Sequence, residues 1–257
     1  MVMRTLVGRG LFAPHMPFSL PPGERAYAIG DVHGRLDLLD RIMAKIDADH
    51  AARGKADCWL IFLGDLIDRG PESSGVIARA MELAASSRNC IFLMGNHEEM
   101  LIRIWTGDDR PAPSFMRYGG DALLRSYGCD VPPLAEDLPP AEIMAMVQRH
   151  VPRAHIAFLR KFGSICQIGS YVFVHAGLRP GIALGDQDPI DMRWIRGDFT
   201  ASDADFGVMV VHGHTITKAP VIRANRIGIG TGAYASDRLT ALGLQGTDRW
   251  FLATEPA

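Results

Sequence analysis

The chain has 257 residues, 47% of them hydrophobic and 22% charged, with a formal net charge of −2. That length leaves ample apolar material for a core in one large domain or two small ones. No apolar run approaches the ~20 residues that span a bilayer, and the near-neutral balance argues against a nucleic-acid partner, because phosphate-backbone affinity needs a net basic surface.

The first 24 residues, opening MVMRTLVGRGLF, read as a lead-in: Arg4 and Arg9 interrupt the apolar run too soon for a signal peptide. Residues 25–250 read as one α/β domain. Its first half alternates regularly, with a strand over 25–30 and a helix over 36–52 carrying Leu39, Ile42, Met43 and Ile46 on one face. A strand over 58–64 follows, then a helix over 72–86 with Val76, Ile77, Ala80, Met81 and Ala84 inward and Pro71 at its start. A third strand covers 90–95 and a third helix 98–105. This spacing predicts parallel strands joined by right-handed crossovers. Residues 106–140 break the rhythm with six of the sixteen prolines and read as a cap or loop excursion. Two short helices follow near 140–150 and 153–162. The remainder reads as strands over 164–168, 171–175, 208–212, 226–229, 239–244 and 250–252, with a long polar loop over 178–207. Cys58, Cys90, Cys129 and Cys166 are far apart and form no CxxC pair. They are expected to be reduced, buried thiols of a cytoplasmic protein.

Five of the strand-like runs end in polar residues set beside glycine. The first ends in GDVHG, giving Asp31 and His33; the second in GDLIDRG, giving Asp65, Asp68 and Arg69; the third in GNHE, giving Asn96 and His97. Later runs end in VHAG (His175) and HGHT (His212 and His214). Ligands bind just past the carboxyl ends of open parallel sheets. Carboxylates, a carboxamide and imidazoles without a thiolate suit manganese, iron or zinc better than calcium or copper(I). The donors are too many for one tetrahedral ion, whereas two ions ~3.5–4 Å apart sharing a carboxylate would use them all.

GDVHG, GDLIDRG and GNHE, in that order and at intervals of about thirty residues, resemble the signature of the calcineurin-like metallophosphoesterases. More narrowly they resemble the phosphoprotein phosphatase branch, which includes bacterial serine/threonine phosphatases. The resemblance implies two mixed β-sheets packed as a sandwich with helices outside. It also implies two divalent ions, manganese before iron or zinc. Asp31, His33 and Asp65 would hold the first, and Asp65, Asn96, His175 and His214 the second. His212, two positions before His214 on a strand, is expected to point to the same face. Asp68 would pair with His97, and His97 would protonate the departing oxygen while a hydroxide bridging the metals attacks phosphorus in line. Arg69 would grip phosphoryl oxygens, joined by Arg196 from the Trp194-Ile195-Arg196 stretch, with Arg193 as the alternative. Asn96 would also face the substrate.

The resemblance implies a phosphoprotein or a phosphorylated small molecule as substrate, with a serine/threonine-type protein phosphatase as the first expectation. The alternative is hydrolysis of dinucleoside polyphosphates such as diadenosine tetraphosphate. The symmetrical hydrolases of such compounds have alanine where this chain has Asp68. The asymmetrical ones keep GDLIDRG but tend to depart at the glutamate of GNHE, here Glu98. A sensor of phosphate ligands without turnover is a third class. In the excursion, Trp105, Arg117, Tyr118 and Arg125 are expected to pack, although they could line a substrate groove.

Overall fold

The computed structural model describes residues 18–86 and 88–255. Most of the lead-in expected over 1–24 lies outside the described residues. Its last part, from Phe18, packs down, with Leu20 buried and its N–H donating to the Gly246 carbonyl at 2.9 Å.

Strand β1 (Glu24–Ile29) is followed by helix α1 (Leu36–Ala52), β2 (Asp57–Phe62), α2 (Ser73–Ala85), β3 (Asn89–Phe92) and α3 (Asn96–Trp105). β1 pairs with β2, and β2 with β3, in parallel, as the strand–helix alternation requires. Strand three is shorter than the expected 90–95 because the chain turns off at Leu93 and Met94 to bond with Gly163. The helix then starts early enough to carry Asn96 and His97 on its first turn. The excursion folds as α4 (Ala112–Phe115), a kinked turn over Met116–Gly120, α5 (Asp121–Ser126) and a 3-10 turn over Ala135–Asp137. Helices α6 (Pro140–His150) and α7 (Arg153–Leu159) lead into β4 (Ile165–Ile168) and β5 (Tyr171–Val174). The rest of the chain comprises α8 (Pro189–Trp194), α9 (Gly197–Thr200), β6 (Met209–His212), β7 (Val221–Ile222), β8 (Arg226–Gly228), α10 (Ala233–Ser236), β9 (Thr240–Gln245) and β10 (Asp248–Ala253).

The strands form two mixed sheets, in the orders β10-β9-β1-β2-β3 and β4-β5-β6-β8-β7. Alternation along each strand divides the apolar side chains into layers. Ala26, Ala28, Ile61 and Leu63 of the first sheet meet Tyr171, Phe173, Val211 and Ile227 of the second in a common buried cluster. Tyr27, Ile29, Leu60 and Phe62 point the other way, under the helices α1, α2 and α3. This is the expected sandwich of two mixed sheets flanked by helices.

Two expectations need correction. The loop over 178–207 is partly helical. Met192 of α8, Phe199 of α9 and Ile195 between them make a short apolar cluster that covers Val172, Val174 and Val210 on the outer face of the second sheet. Of the four cysteines, all free, only Cys129 is buried. Cys58 and Cys90 sit near the starts of β2 and β3, where those strands are still half-exposed. No helix among the described residues is long and apolar enough to cross a membrane.

Candidate active site

The carboxyl ends of β1, β2, β3, β5 and β6 meet at one edge of the sandwich, and the loops that leave them are bonded to one another. The Asp65 carbonyl accepts from the N–H groups of Val32 and His33 at 3.1 and 2.9 Å, joining the first two motif loops. The Asp31 carboxylate accepts from the His214 N–H at 2.8 and 3.1 Å, joining the first sheet to the second. Gly64 has φ of +98°, and a Cβ there would lie 2.6 Å from the Gly95 nitrogen. Only glycine lets the second motif loop approach the third this closely.

Asp65 is the centre of this arrangement. Its Oδ2 lies 3.3 Å from His175 Nε2, 3.6 Å from His33 Nε2 and 3.9 Å from His97 Nε2. Ligand atoms of His33, Asp65 and His97 lie within 4.8 Å of one another, and so do those of Asp65, His175 and His214. Asp65 is thus common to two groups of donors.

The hydrogen bonds behind these rings settle which nitrogen faces inward. His175 Nδ1–H donates to the Leu63 carbonyl at 2.8 Å and His33 Nδ1–H to the Ile67 carbonyl at 2.7 Å, so each ring turns its Nε2 toward the cluster. His175 Nε2 then points at Asn96 Oδ1 and His214 Nδ1, both 3.1 Å away, besides Asp65 Oδ2. A carboxylate, a carboxamide oxygen and imidazole nitrogens gathered in a buried space need positive charge among them, from a protonated imidazole or from a bound cation. Oxygen and imidazole donors in such numbers fit divalent transition ions. Burial alone would raise the Asp65 pKa, but the imidazoles of His175, His97 and His33 hold it well below the usual carboxylate range. His175 shows the converse, raised to about 9 against its burial by the Asp65 charge. Burial, with the His175 charge adding, depresses His214 to about 2, and its Nε2 is buried without a hydrogen-bond partner. Asp31 is buried beside these groups and raised by that burial to about 6, yet it belongs to neither converging triad.

Beside the cluster runs a second row. The Asp68 carboxylate accepts from His97 Nδ1–H at 2.5 Å with both side chains buried. Burial disfavours the imidazolium of His97, but the charges of Asp65 and Asp68 outweigh it and the pKa rises. Arg69 spans the row, donating from Nη1 to His33 Nε2 at 2.9 Å and from Nη2 to His97 Nε2 at 3.1 Å.

Arg193 and Arg196 separate clearly. Arg193 Nε donates to Glu99 at 2.6 Å and Nη1 reaches Ser164 Oγ, so its charge is spent in a structural pair. Arg196 is exposed at the start of α9, and its charge is among those acting on His214. His212 does not share the His214 face. Its ring packs edge-on against Phe199, 5.1 Å between centroids, on the outer side of the second sheet. The strand ends at His212, and His214 has φ of +59°, so the two-residue alternation does not carry across.

Two residues of the site were not singled out from sequence. Glu98, wholly buried, accepts from the Asp65 N–H (2.9 Å) and Gly95 N–H (3.0 Å) on Oε2, and from the Leu66 N–H (2.7 Å) on Oε1. Burial, with the Asp65 charge adding, raises its pKa to about 7. The GNHE motif contains Glu98, but only the fold shows that its targets lie on the second loop. Tyr234 lies under Arg69, whose guanidinium carbon is 4.6 Å from the ring centroid, and edge-on to His33 at 5.5 Å. Its only sequence signal is the Thr-Gly-Ala turn before it.

Comparison with known proteins places this geometry. The chain is 25% identical over 233 residues to the asymmetrical bis(5'-nucleosyl)-tetraphosphatase PrpE of Bacillus thuringiensis, covering 83% of this chain and 88% of that one. Among solved structures, a chain provisionally described as a diadenosine tetraphosphatase superimposes with a TM-score of 0.63 at 17% identity, covering 93% of this chain and all of the other. The cold-active protein-tyrosine phosphatase of a psychrophilic Shewanella superimposes with a TM-score of 0.54 at 15% identity, over 91% and 83% of the two chains. Such distant structural likeness shows the shared fold and does not choose between substrates. The sequence pattern of the calcineurin-like phosphoesterases matches residues 25–220, and the chain therefore belongs to that family of metal-dependent phosphoester hydrolases.

Proposed function

We propose that the chain hydrolyses dinucleoside polyphosphates of the bis(5'-nucleosyl)-tetraphosphate type. The observation that carries this reading is the likeness to an asymmetrical tetraphosphatase along nearly the whole length of both chains. Asp68 does not decide the matter, because asymmetrical hydrolases keep GDLIDRG as protein phosphatases do. A serine/threonine protein phosphatase is the second reading, favoured by Glu98, which completes GNHE where asymmetrical hydrolases tend to depart.

Asp31, His33, Asp65, Asn96, His175 and His214 would hold two divalent ions, with manganese a better match than zinc for a set rich in oxygen donors. Bound there, such ions supply Lewis acidity that neutralises phosphoryl charge and lowers the pKa of water toward ~7. The chain's own groups do the rest. Arg69 and Arg196 draw in the phosphoryl oxygens, and Asn96 would meet the same group. In turning to the phosphate, Arg69 releases His97 Nε2. That nitrogen then takes up a proton from solvent, with Asp68 accepting from Nδ1–H and stabilising the imidazolium so formed, and passes the proton to the leaving oxygen.

A paired initial-rate assay with manganese tests the substrate. One arm takes diadenosine tetraphosphate, the other a phosphoserine/phosphothreonine peptide, each with a chelator blank. Faster metal-dependent turnover of the dinucleotide is expected. Faster turnover of the peptide moves the assignment to the second reading.

A further inference from the structure

The excursion touches the catalytic row at Gly119. The Gly119 carbonyl accepts from the Arg69 N–H at 3.1 Å, and a Cβ on Gly119 would lie 2.6 Å from that nitrogen. The kinked turn over Met116–Gly120 is therefore laid directly on the residue that grips phosphate. Gly119 also lines a surface cavity of about 280 Å³ whose other walls come from the excursion.

The lining of that cavity has two characters. Met116, Pro132 and Pro133 give it apolar walls, and Leu134 adds an apolar side chain that is 73% exposed and held at φ of +57°. A leucine in the left-handed region, mostly in water, is unfavourable twice over, in backbone strain and in apolar exposure. Leu134 joins none of the apolar clusters among the described residues. At the rim stand Arg117 and Arg125, with the carboxylates of Asp121 and Glu136. Arg117 is exposed and makes no ion pair among the described residues, and the Arg125–Asp121 approach is loose at 3.7 Å. Trp105, by contrast, packs against the core and donates to the Val151 carbonyl, so packing accounts for it and not for this rim.

We infer that this cavity is a nucleobase subsite, set beside the phosphate clamp to hold one purine or pyrimidine of the substrate. The inference rests on the dinucleotide reading for its choice of ligand. A base is flat, apolar on its faces and polar at its edges, which matches apolar walls with a rim of cations and carboxylates. Guanidinium groups stack on bases, and carboxylates accept from exocyclic amino groups. The volume suits one ring system and falls below the ~300–1,000 Å³ that encloses a whole drug-sized ligand. The ribose and phosphates would then lie toward Gly119 and Arg69, where the turn directs them.

The test uses the full chain loaded with manganese and hydrolysing p-nitrophenyl phosphate. Inhibition constants are measured for adenosine 5'-monophosphate and for ribose 5-phosphate, which differ by the base alone. The native chain is expected to bind the nucleotide at least about fivefold more tightly than the sugar phosphate, the scale of one stacked base. That ratio should fall toward one in both Leu134→Ser and Arg117→Ala, two exposed positions in separate parts of the rim. Equal constants in the native chain, or a ratio that survives both substitutions, overturns the subsite. Failure of the dinucleotide reading shows separately, as no turnover of diadenosine tetraphosphate by a chain that still cleaves p-nitrophenyl phosphate.

Discussion

At about pH 8 and above, where Glu98 is ionised, Glu98→Gln removes a charge and leaves the shape of the side chain almost unchanged, so it isolates what the carboxylate does. In the native chain three backbone N–H groups, of Asp65, Leu66 and Gly95, converge on two carboxylate oxygens. An amide offers one carbonyl oxygen. Its best orientation accepts from Asp65 and Gly95 and turns its own NH₂ toward the Leu66 N–H. One buried donor is then unsatisfied, at about 1–3 kcal/mol, and the two remaining bonds lose their charge assistance, so the sum is about 2–4 kcal/mol. For a chain of this size that corresponds to a melting temperature lower by about 5–15 °C. The Asp65 turn is also loosened, and loss of a supporting hydrogen bond behind a metal ligand typically weakens metal affinity or activity by about 10–100-fold. Thermal unfolding of the metal-free chain measures the first effect, and titration calorimetry with manganese the second. Unchanged melting together with unchanged manganese affinity would refute the reasoning, because those N–H groups would then have some other means of satisfaction.

His97→Asn should leave manganese stoichiometry intact while slowing esters with poor leaving groups far more than an activated aryl phosphate; equal losses on both would remove the proton-donor role. Arg196→Ala should raise KM for every phosphorylated substrate with little change in melting, whereas Arg193→Ala, which breaks the 2.6 Å pair with Glu99, should do the reverse. A shared kinetic phenotype would undo that division. Burial alone would raise the Asp49 carboxyl, but hydrogen bonds from Tyr27, Arg53 and Trp250 bring its pKa net below the ordinary value. A depressed folded-state pKa contributes stability that is present above the unfolded value near ~4 and lost as pH falls through the folded one. Asp49→Asn should therefore flatten the acid limb of the melting curve, and an acid limb parallel to the native one would show that these bonds carry no linkage.

The parts of the site legible in sequence are those whose chemistry is local to one strand end. Asp65, Asp68 and Arg69 follow one buried strand, so their convergence needs only a strand, a turn and parallel neighbours. His33, His97 and His175 follow for the same reason. Glu98 was legible as a letter of a motif but not as a brace, because its partners Asp65 and Leu66 lie more than thirty positions away. Tyr234 reaches Arg69 from α10, near the far end of the chain, and nothing in its neighbourhood announces the contact. The helices α8 and α9 escaped notice because six and four residues are too few for a period to show. His212 was misplaced by extending strand alternation beyond the strand.

That last error leads to what the site demands of the backbone. Among the described residues seven non-glycine residues have positive φ, and five of them are His33, Asp65, Asp68, Arg69 and His214. A side chain on a regular strand points to one face or the other, never along the strand axis toward the space beyond the carboxyl end. To aim there, a residue just past the end must double back, and the left-handed region is how the chain does it. Glycine would relieve the strain but has no donor to offer, so each of these positions keeps its side chain at the expense of stability. The surrounding bonds hold the strained turns in place: Glu98 on the Asp65 N–H, the Ile67 and Leu63 carbonyls on the His33 and His175 rings, and Asp31 on the His214 N–H. The glycines beside the motifs follow from the same requirement, since loops this contorted can approach one another only where side chains are missing.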